Sequence, residues 1–594
     1  MKDFFKYLLA TIIGILLCGF IFMVIGTASI VGIALSSSSS NTIKDKSVLR
    51  LNFNGSLTER STSNPWDKLL GDKYNIMGLD DVLSSIEKAQ NNDKIEGIYI
   101  DASNLITGSA SIKEIRDKLL DFKKSGKFLI AYSDSYSQAL YYLSSVADKV
   151  ILNPVGSLEW KGLSAQPVFY KDLLNKIGVE MQIFKVGTYK SAVEPYILTE
   201  MSKPNKEQVS AFLGSMWDQI LEDVSMSRNI NKMELNNLAD NPLITQDAKE
   251  AVKVGLIDTL MYKSDVNMYI TNLLKSYKSD KINFVKPEDL VNSKVLAKNS
   301  DEENIDDKIA VYYAYGEIDG NTNMGEEEGI NSSTVVKDLL KLKKDDDIKA
   351  VVLRVNSPGG SAFGSEQIWE AVAELKTSKP VVVSMGDYAA SGGYYISCHA
   401  NYIVAEPNTL TGSIGIFGMI PNVEKMTKKI GVNFDVVKTN KFSDFGSINR
   451  AMNSDEKLII QTMINKGYKL FTDRCAKGRV MEIEDIYKIA EGRVWTGSMA
   501  QKIGLVDSIG GLDKAIRIAA NMSKTPKYKV ENYPVKKDFL SKLLKLNPED
   551  YIESSILKSK LGNYYKKFKT YYSLSNFNKK NSLLLIMPYD PNIR

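Results

Sequence analysis

The chain has 594 residues, 44% of them hydrophobic, and a formal net charge of only +5. That length holds several average domains and the apolar share is ample for large packed cores, while so small a charge leaves no electrostatic footprint for nucleic acid. One histidine, His399, and three scattered cysteines, Cys18, Cys398 and Cys475, offer no metal-ligand spacing, which argues for chemistry without a metal or other cofactor.

From Tyr7 to Leu35, "YLLATIIGILLCGFIFMVIGTASIVGIAL" runs 29 residues without a charge, and about 20 suffice to cross the hydrocarbon core of a bilayer. The stretch reads as one uncleaved transmembrane helix, since the apolar region of a cleaved signal peptide covers about 7 to 15 residues. Lys2 and Lys6 on one side face Lys44, Lys46 and Arg50 on the other. Charge therefore does not orient the span. Ser36 to Asn41 follow as a flexible tether, so residues 1–46 form an anchor.

The next two segments are copies of each other. "NNDKIEGIYIDASN" at Asn91 returns as "KDDDIKAVVLRVNS" at Lys344, and an offset of 253 brings Ile95 onto Ile348, Tyr141 onto Tyr394 and Lys176 onto Lys429. Both copies close on a similar phrase, "AVKVGLID" and "AQKIGLVD". Each copy alternates short β-rich apolar runs with helical spacing, which predicts an α/β domain around a mostly parallel sheet. The boundaries read as 47–287 and 306–520, with the acidic stretch "NSDEEN" in the linker between them.

In the second copy, the run "VVLRVN" gives way to Pro358-Gly359-Gly360 before a helix. The loop lacks the GK[ST] ending of a phosphate-binding P-loop; backbone N–H groups presented to a tetrahedral oxyanion fit it better. Further on, "PVVVSMGDYAASGGYYIS" places Ser391 at the start of a helix, with the N–H of Gly392 free to donate. The bland reading of Ser391 is a helix cap. Against it, two glycines follow directly, each costing a helix about 1 kcal/mol relative to alanine, so something must approach the backbone there. His399 lies eight residues on, about 12 Å along a helix of ~1.5 Å rise, and cannot serve Ser391 as base.

The first copy supplies the alternative. It carries Gln138 at the position of Ser391 and Leu105-Ile106-Thr107 in place of the Pro-Gly-Gly loop, yet its "VGTYKSAVEPY" holds Lys190 where the second copy has Ser443. Each copy keeps what the other lost, which places a Ser391–Lys190 pair across the junction. Lysine is the usual substitute for histidine beside a nucleophilic serine, provided burial lowers its pKa from about 10.4. Two other Ser-x-x-Lys matches, Ser85–Lys88 and Ser555–Lys558, lack the companion motifs of penicillin-binding proteins and read as chance.

The segments "LRVNSPGGSAFGSE", "AASGGYYIS", "NTLTGSIGIFG" and "GTYKSAVEPY" resemble the signatures of the signal peptide peptidase A family in its long, duplicated, membrane-anchored bacterial form. That resemblance implies tandem ClpP/crotonase-like domains behind one transmembrane helix. It implies Ser391 as nucleophile, Lys190 as general base, Ser413 of "TGSIG" as the residue orienting the lysine, and Gly359, Gly360 and Gly392 as the oxyanion hole. It further implies a homo-oligomer, a tetramer, on the outer side of the cytoplasmic membrane that degrades cleaved signal peptides and other short apolar peptides. A catalytically silent scaffold of the same fold, and a crotonase-type acyl-CoA enzyme, are the rival readings. The first sits poorly with an intact serine, lysine and Pro-Gly-Gly loop, the second with the lysine in the partner copy and the anchor.

The remainder, 521–594, is basic and aromatic. From Lys524 onward it has 15 Lys or Arg against 6 Asp or Glu. It reads as a solvated helical face, with contact to anionic lipid headgroups as the sharper alternative.

Overall fold

The computed structural model describes residues 43–61, 76–241, 247–274, 282–293, 305–320, 329–535 and the backbone of 583–586, together with positions 6, 7, 14, 17 and 19. Apart from those single positions, the expected membrane span and its serine tether, Ser555–Lys558, and the tail at 536–582 and 587–594 lie outside the described residues. Among the described residues no helix is long and apolar enough to cross a membrane.

Two α/β units follow one another, each built on its own parallel sheet. In the first, Ser47–Thr58, Ile95–Ile106, Phe128–Ser133 and Lys149–Leu152 lie side by side in chain order. In the second, Lys308–Tyr315, Ile348–Ser357, Val381–Ala390 and Tyr402–Ala405 repeat that order. The cause is visible in the sequence: Val351, Val352 and Leu353 are consecutive and all fully buried, as happens when helices cover both faces of a sheet. An antiparallel strand, Val494–Thr496, closes the edge beyond Leu410–Gly412.

Polar groups register the two units. Asp387, near the end of the strand Val381–Ala390, reaches across to the helix Ser109–Lys123 and accepts from the N–H groups of Ala110 and Ser111 (both 2.9 Å) and from the Ser111 hydroxyl (2.7 Å). A carboxylate at a helix N-terminus satisfies orphan donors and meets the positive end of the dipole. Gly108 just before that helix has no room for a side chain, because a Cβ would fall 2.0 Å from the Asp387 carboxyl carbon. Deeper in, the buried Arg354 guanidinium binds Glu59 (2.9 Å) and Glu114 (2.7 Å), both from the first unit. Burial raises the Glu59 pKa against the pull of Arg354. Replacing Arg354 with alanine is therefore expected to lower stability by about 3–5 kcal/mol, the usual cost of leaving buried charge uncompensated. A urea midpoint unchanged from wild type would contradict this.

A third, antiparallel sheet spans the junction. Glu180–Lys185 of the first unit pairs with Phe417–Asn422 of the second, Lys185 opposite Phe417. The loop that follows Lys185 is thereby carried over the second unit, and Lys190 with it.

Candidate active site

Ser391 stands where the strand Val381–Ala390 turns into the short helix Gly392–Ser397. Its backbone is strained, with φ 56° and ψ −113°, a region non-glycine residues enter at a cost of about 1–3 kcal/mol and mostly where function requires it. The turn is held by Ser391 N–H donating to the Gly412 carbonyl (2.8 Å) and by Tyr395 N–H donating to the Ser391 carbonyl (2.8 Å). Although Ser391 occupies the cap position, its side chain does not cap the helix. The hydroxyl points to Lys190 instead, with Oγ and Nζ 2.8 Å apart.

Lys190 is fully buried. Its Nζ lies 3.0 Å from Ser413 Oγ and 3.2 Å from the Ser413 carbonyl, and burial alone pushes its pKa well below the usual lysine range. Nζ is within donating distance of Ser391 Oγ and of both Ser413 oxygens; a neutral amine, with two N–H donors and one lone pair, would match this trio by donating to Ser413 and accepting from the Ser391 hydroxyl. Ser413 is itself at positive φ (50°) and is fixed by donating its N–H to the Arg493 carbonyl (2.7 Å).

The Pro-Gly-Gly loop abuts Ser391 from the other side. A Cβ on Gly392 would lie 2.7 Å from Ser365 Oγ and 3.1 Å from both Gly359 Cα and Gly360 N, and one on Gly393 would lie 2.6 Å from the Ser357 carbonyl oxygen. These contacts are the close approach that the two glycines after Ser391 foretold. The three expected oxyanion donors do not stand alike, however. Gly359 N–H is directed to Ser357 Oγ (3.2 Å), so Gly360 and the helix-opening amide of Gly392 are the pair left to receive an oxyanion.

Sequence reasoning missed the residues that let the lysine in. Gly492 (φ 79°) packs on the Lys190 backbone: a Cβ there would sit 2.7 Å from Lys190 Cβ and 2.8 Å from its N. Gly415 lies against the Lys190 side chain, and Tyr189 N–H donates to the Glu491 carbonyl (3.0 Å). Nothing in "AEGRVW" marks Gly492 as special, since the chain segment it touches is some 300 residues away. Gly492→Ala is expected to displace Lys190 and cut peptide turnover about 100-fold, the usual penalty for an ~1 Å misplacement. Turnover within a factor of three of wild type would show that the lysine tolerates the added methyl.

The other candidates fall elsewhere. The helix ends at Ser397, so His399 lies beyond it rather than on it, packed on Trp369 with ring centroids 5.1 Å apart; burial lowers its pKa to about 4. Ser85 and Lys88 hydrogen-bond to the carbonyls of Val82 and Val291 respectively, not to each other. In the first unit Gln138 fills the place of the serine and ties down the N–H groups of Lys161 and Gly162 (2.9 and 3.0 Å). Ser443, the counterpart of Lys190, is exposed in a loop.

Residues 121–275 and 373–525 each match the profile of peptidase family S49, and residues 317–410 match that of Clp protease. The chain is 36% identical over 527 residues to Protease 4 of Haemophilus influenzae, covering 86% of this chain and 84% of that one. To Protease 4 of Salmonella typhi it is 37% identical over 537 residues, with the same coverage of 86% and 84%. The chloroplastic serine protease SPPA of Arabidopsis thaliana is 29% identical over 490 residues, 82% of this chain and 70% of that one.

Proposed function

Since the chain belongs to peptidase family S49 and is a serine peptidase carrying the family's domain twice, we propose that it cleaves peptides with a Ser391–Lys190 dyad assembled between its two halves. The observation that carries this reading is the 2.8 Å contact between a buried lysine amine and a serine hydroxyl on a strained turn. Neutral Lys190 takes the Ser391 proton as Oγ attacks the scissile carbonyl, and Gly360 and Gly392 N–H groups hold the oxyanion. The protonated amine then gives its proton to the leaving nitrogen, and a water activated by the same amine hydrolyses the acyl-enzyme. Ser413 keeps Nζ aimed at Oγ throughout.

The substrates on this reading are short apolar peptides, cleaved signal peptides among them. The enzyme is a homo-oligomer, held by Tyr7–Leu35 in the cytoplasmic membrane with its catalytic units on the outer side. The 29 uncharged residues of that stretch support the anchor. Mapping the acyl adduct formed with an apolar peptide ester tests the chemistry. The adduct is expected on the tryptic fragment containing Ser391; an adduct confined to any other residue would reject the assignment.

A further inference from the structure

The backbone of Lys190 is neither helical nor extended, with φ −75° and ψ 79°, so no repeating ladder of hydrogen bonds holds it. Other groups must. One grip comes from the second unit, where Tyr189 N–H donates to the Glu491 carbonyl and Gly492 packs on the Lys190 backbone. Another comes from the long helix Lys203–Arg228 of the first unit, whose Gln208 is fully buried. Gln208 Nε2 donates to the Tyr189 carbonyl (3.0 Å), part of the peptide group entering Lys190, and to Ser191 Oγ (2.8 Å), just past it. Its Oε1 accepts from Val494 N–H (3.2 Å), close behind Gly492 in the chain. One side-chain amide thus ties the segment that carries the lysine to the segment on which the lysine lies.

The direction of that amide is set from both ends. The buried Glu194 carboxylate accepts from Asn205 Nδ2 (2.8 Å), which turns Asn205 Oδ1 to Gln208 Nε2 (3.2 Å). At the other end Val494 N–H can only donate, and so requires Oε1. An amide exchanged end for end would set its oxygen against the Tyr189 carbonyl. The same helix makes a further polar tie to the strand Val494–Thr496, where Ser215 Oγ lies 2.8 Å from Thr496 Oγ1. That bond docks the helix about 10 Å along its axis from Gln208.

We propose that Gln208 is a positioning residue for the general base: it holds Lys190 Nζ at Ser391 Oγ by fixing the backbone from which the amine extends. The role rests on the dyad reading above. A lysine side chain is a flexible four-carbon stem, and a flexible stem delivers its amine to one place only when both ends are held. Ser413 holds the amine end. Gln208 holds the backbone end, and its described hydrogen bonds go to the neighbours of Lys190 rather than to Ser391.

The test measures kcat, KM and the pH profile of the full-length protein in detergent with a fluorogenic apolar peptide, beside urea midpoints. Gln208→Met, similar in length and without strong hydrogen-bonding groups, is expected to lower kcat about 100-fold, the penalty for an ~1 Å misplacement, with KM unchanged. The acid limb of its profile should move up by about one pH unit, because a loosened segment admits water to the amine. Ser215→Ala should lose stability only, keeping the wild-type kcat and pH profile. Equal losses of kcat in Gln208→Met and Ser215→Ala, or an acid limb in Gln208→Met that coincides with wild type, would reduce Gln208 to docking the helix and overturn the proposal. Ser191→Ala, which removes one acceptor of the amide, reads the same role should Gln208→Met not fold. A kcat about fivefold lower at unchanged KM, the worth of one hydrogen bond, supports it, and a wild-type kcat refutes it. Loss of turnover in Ser391→Ala beside a wild-type kcat in Gln208→Met would end the role of Gln208 and leave the dyad standing. If Ser391→Ala turned the peptide over as fast as wild type, the dyad would fall and Gln208 with it.

Discussion

Replacing Lys190 with alanine is expected to lower kcat/KM for an apolar peptide by about 10⁴-fold or more, and Ser391→Ala to do the same. The two groups act as one unit, so the double variant should be no worse than either single one. Lys190→Arg should not rescue, because a guanidinium stays protonated and cannot accept the hydroxyl proton. Both sites are buried without a histidine or carboxylate in the described contacts of Nζ, so no neighbour stands ready to replace the amine. Near-normal turnover by purified Lys190→Ala would remove the dyad as an explanation. The pH profile follows from the same burial. Activity should rise as the amine deprotonates, at a pH well below the ordinary lysine value, since desolvation lowers its pKa.

Lys190→Met is expected to be inactive yet more stable than wild type at neutral pH. In the folded chain burial depresses the lysine pKa, whereas unfolded the side chain titrates at its ordinary value near 10.4. Between those two pKa values the unfolded state binds one more proton, so wild-type stability rises with pH by about 1.4 kcal/mol per unit and is fully regained only above the unfolded pKa. Methionine, of similar length and uncharged, carries no such penalty. The advantage of the variant should therefore shrink as pH is raised toward the ordinary lysine value, at up to that slope once the folded pKa is passed, read from urea midpoints at each pH. A difference that stays constant across the range would mean that Lys190 is not held neutral in the fold.

Some of the site was readable residue by residue. The glycines after Ser391 announced a close backbone approach, and the structure fills that space with the Pro-Gly-Gly loop. The offset of 253 identified the lysine by what the first copy had lost and kept. Other features left no local trace. Gly359 looks as able to donate as Gly360, and only the Ser357 hydroxyl separates them. Gly492 matters because Lys190 lies on it. Asp387, four residues before Ser391, holds a helix of the other unit, and nothing in the segment around it announces that contact.

The sequence by itself determined the two parallel sheets, through apolar runs that local β propensity and two-sided burial together specify. It also showed that one copy keeps the serine and the Pro-Gly-Gly loop and the other the lysine. Tertiary structure decided whether these residues meet, because Lys190 and Ser391 are 201 residues apart and the strand Glu180–Lys185 that leads to Lys190 is paired with Phe417–Asn422. It alone placed Leu583–Ile586 between Gly359–Ser361 and Phe417–Asn422. Strand partners at such distances are selected by complementary edges in the folded chain, and a short apolar run carries no record of which edge it will meet.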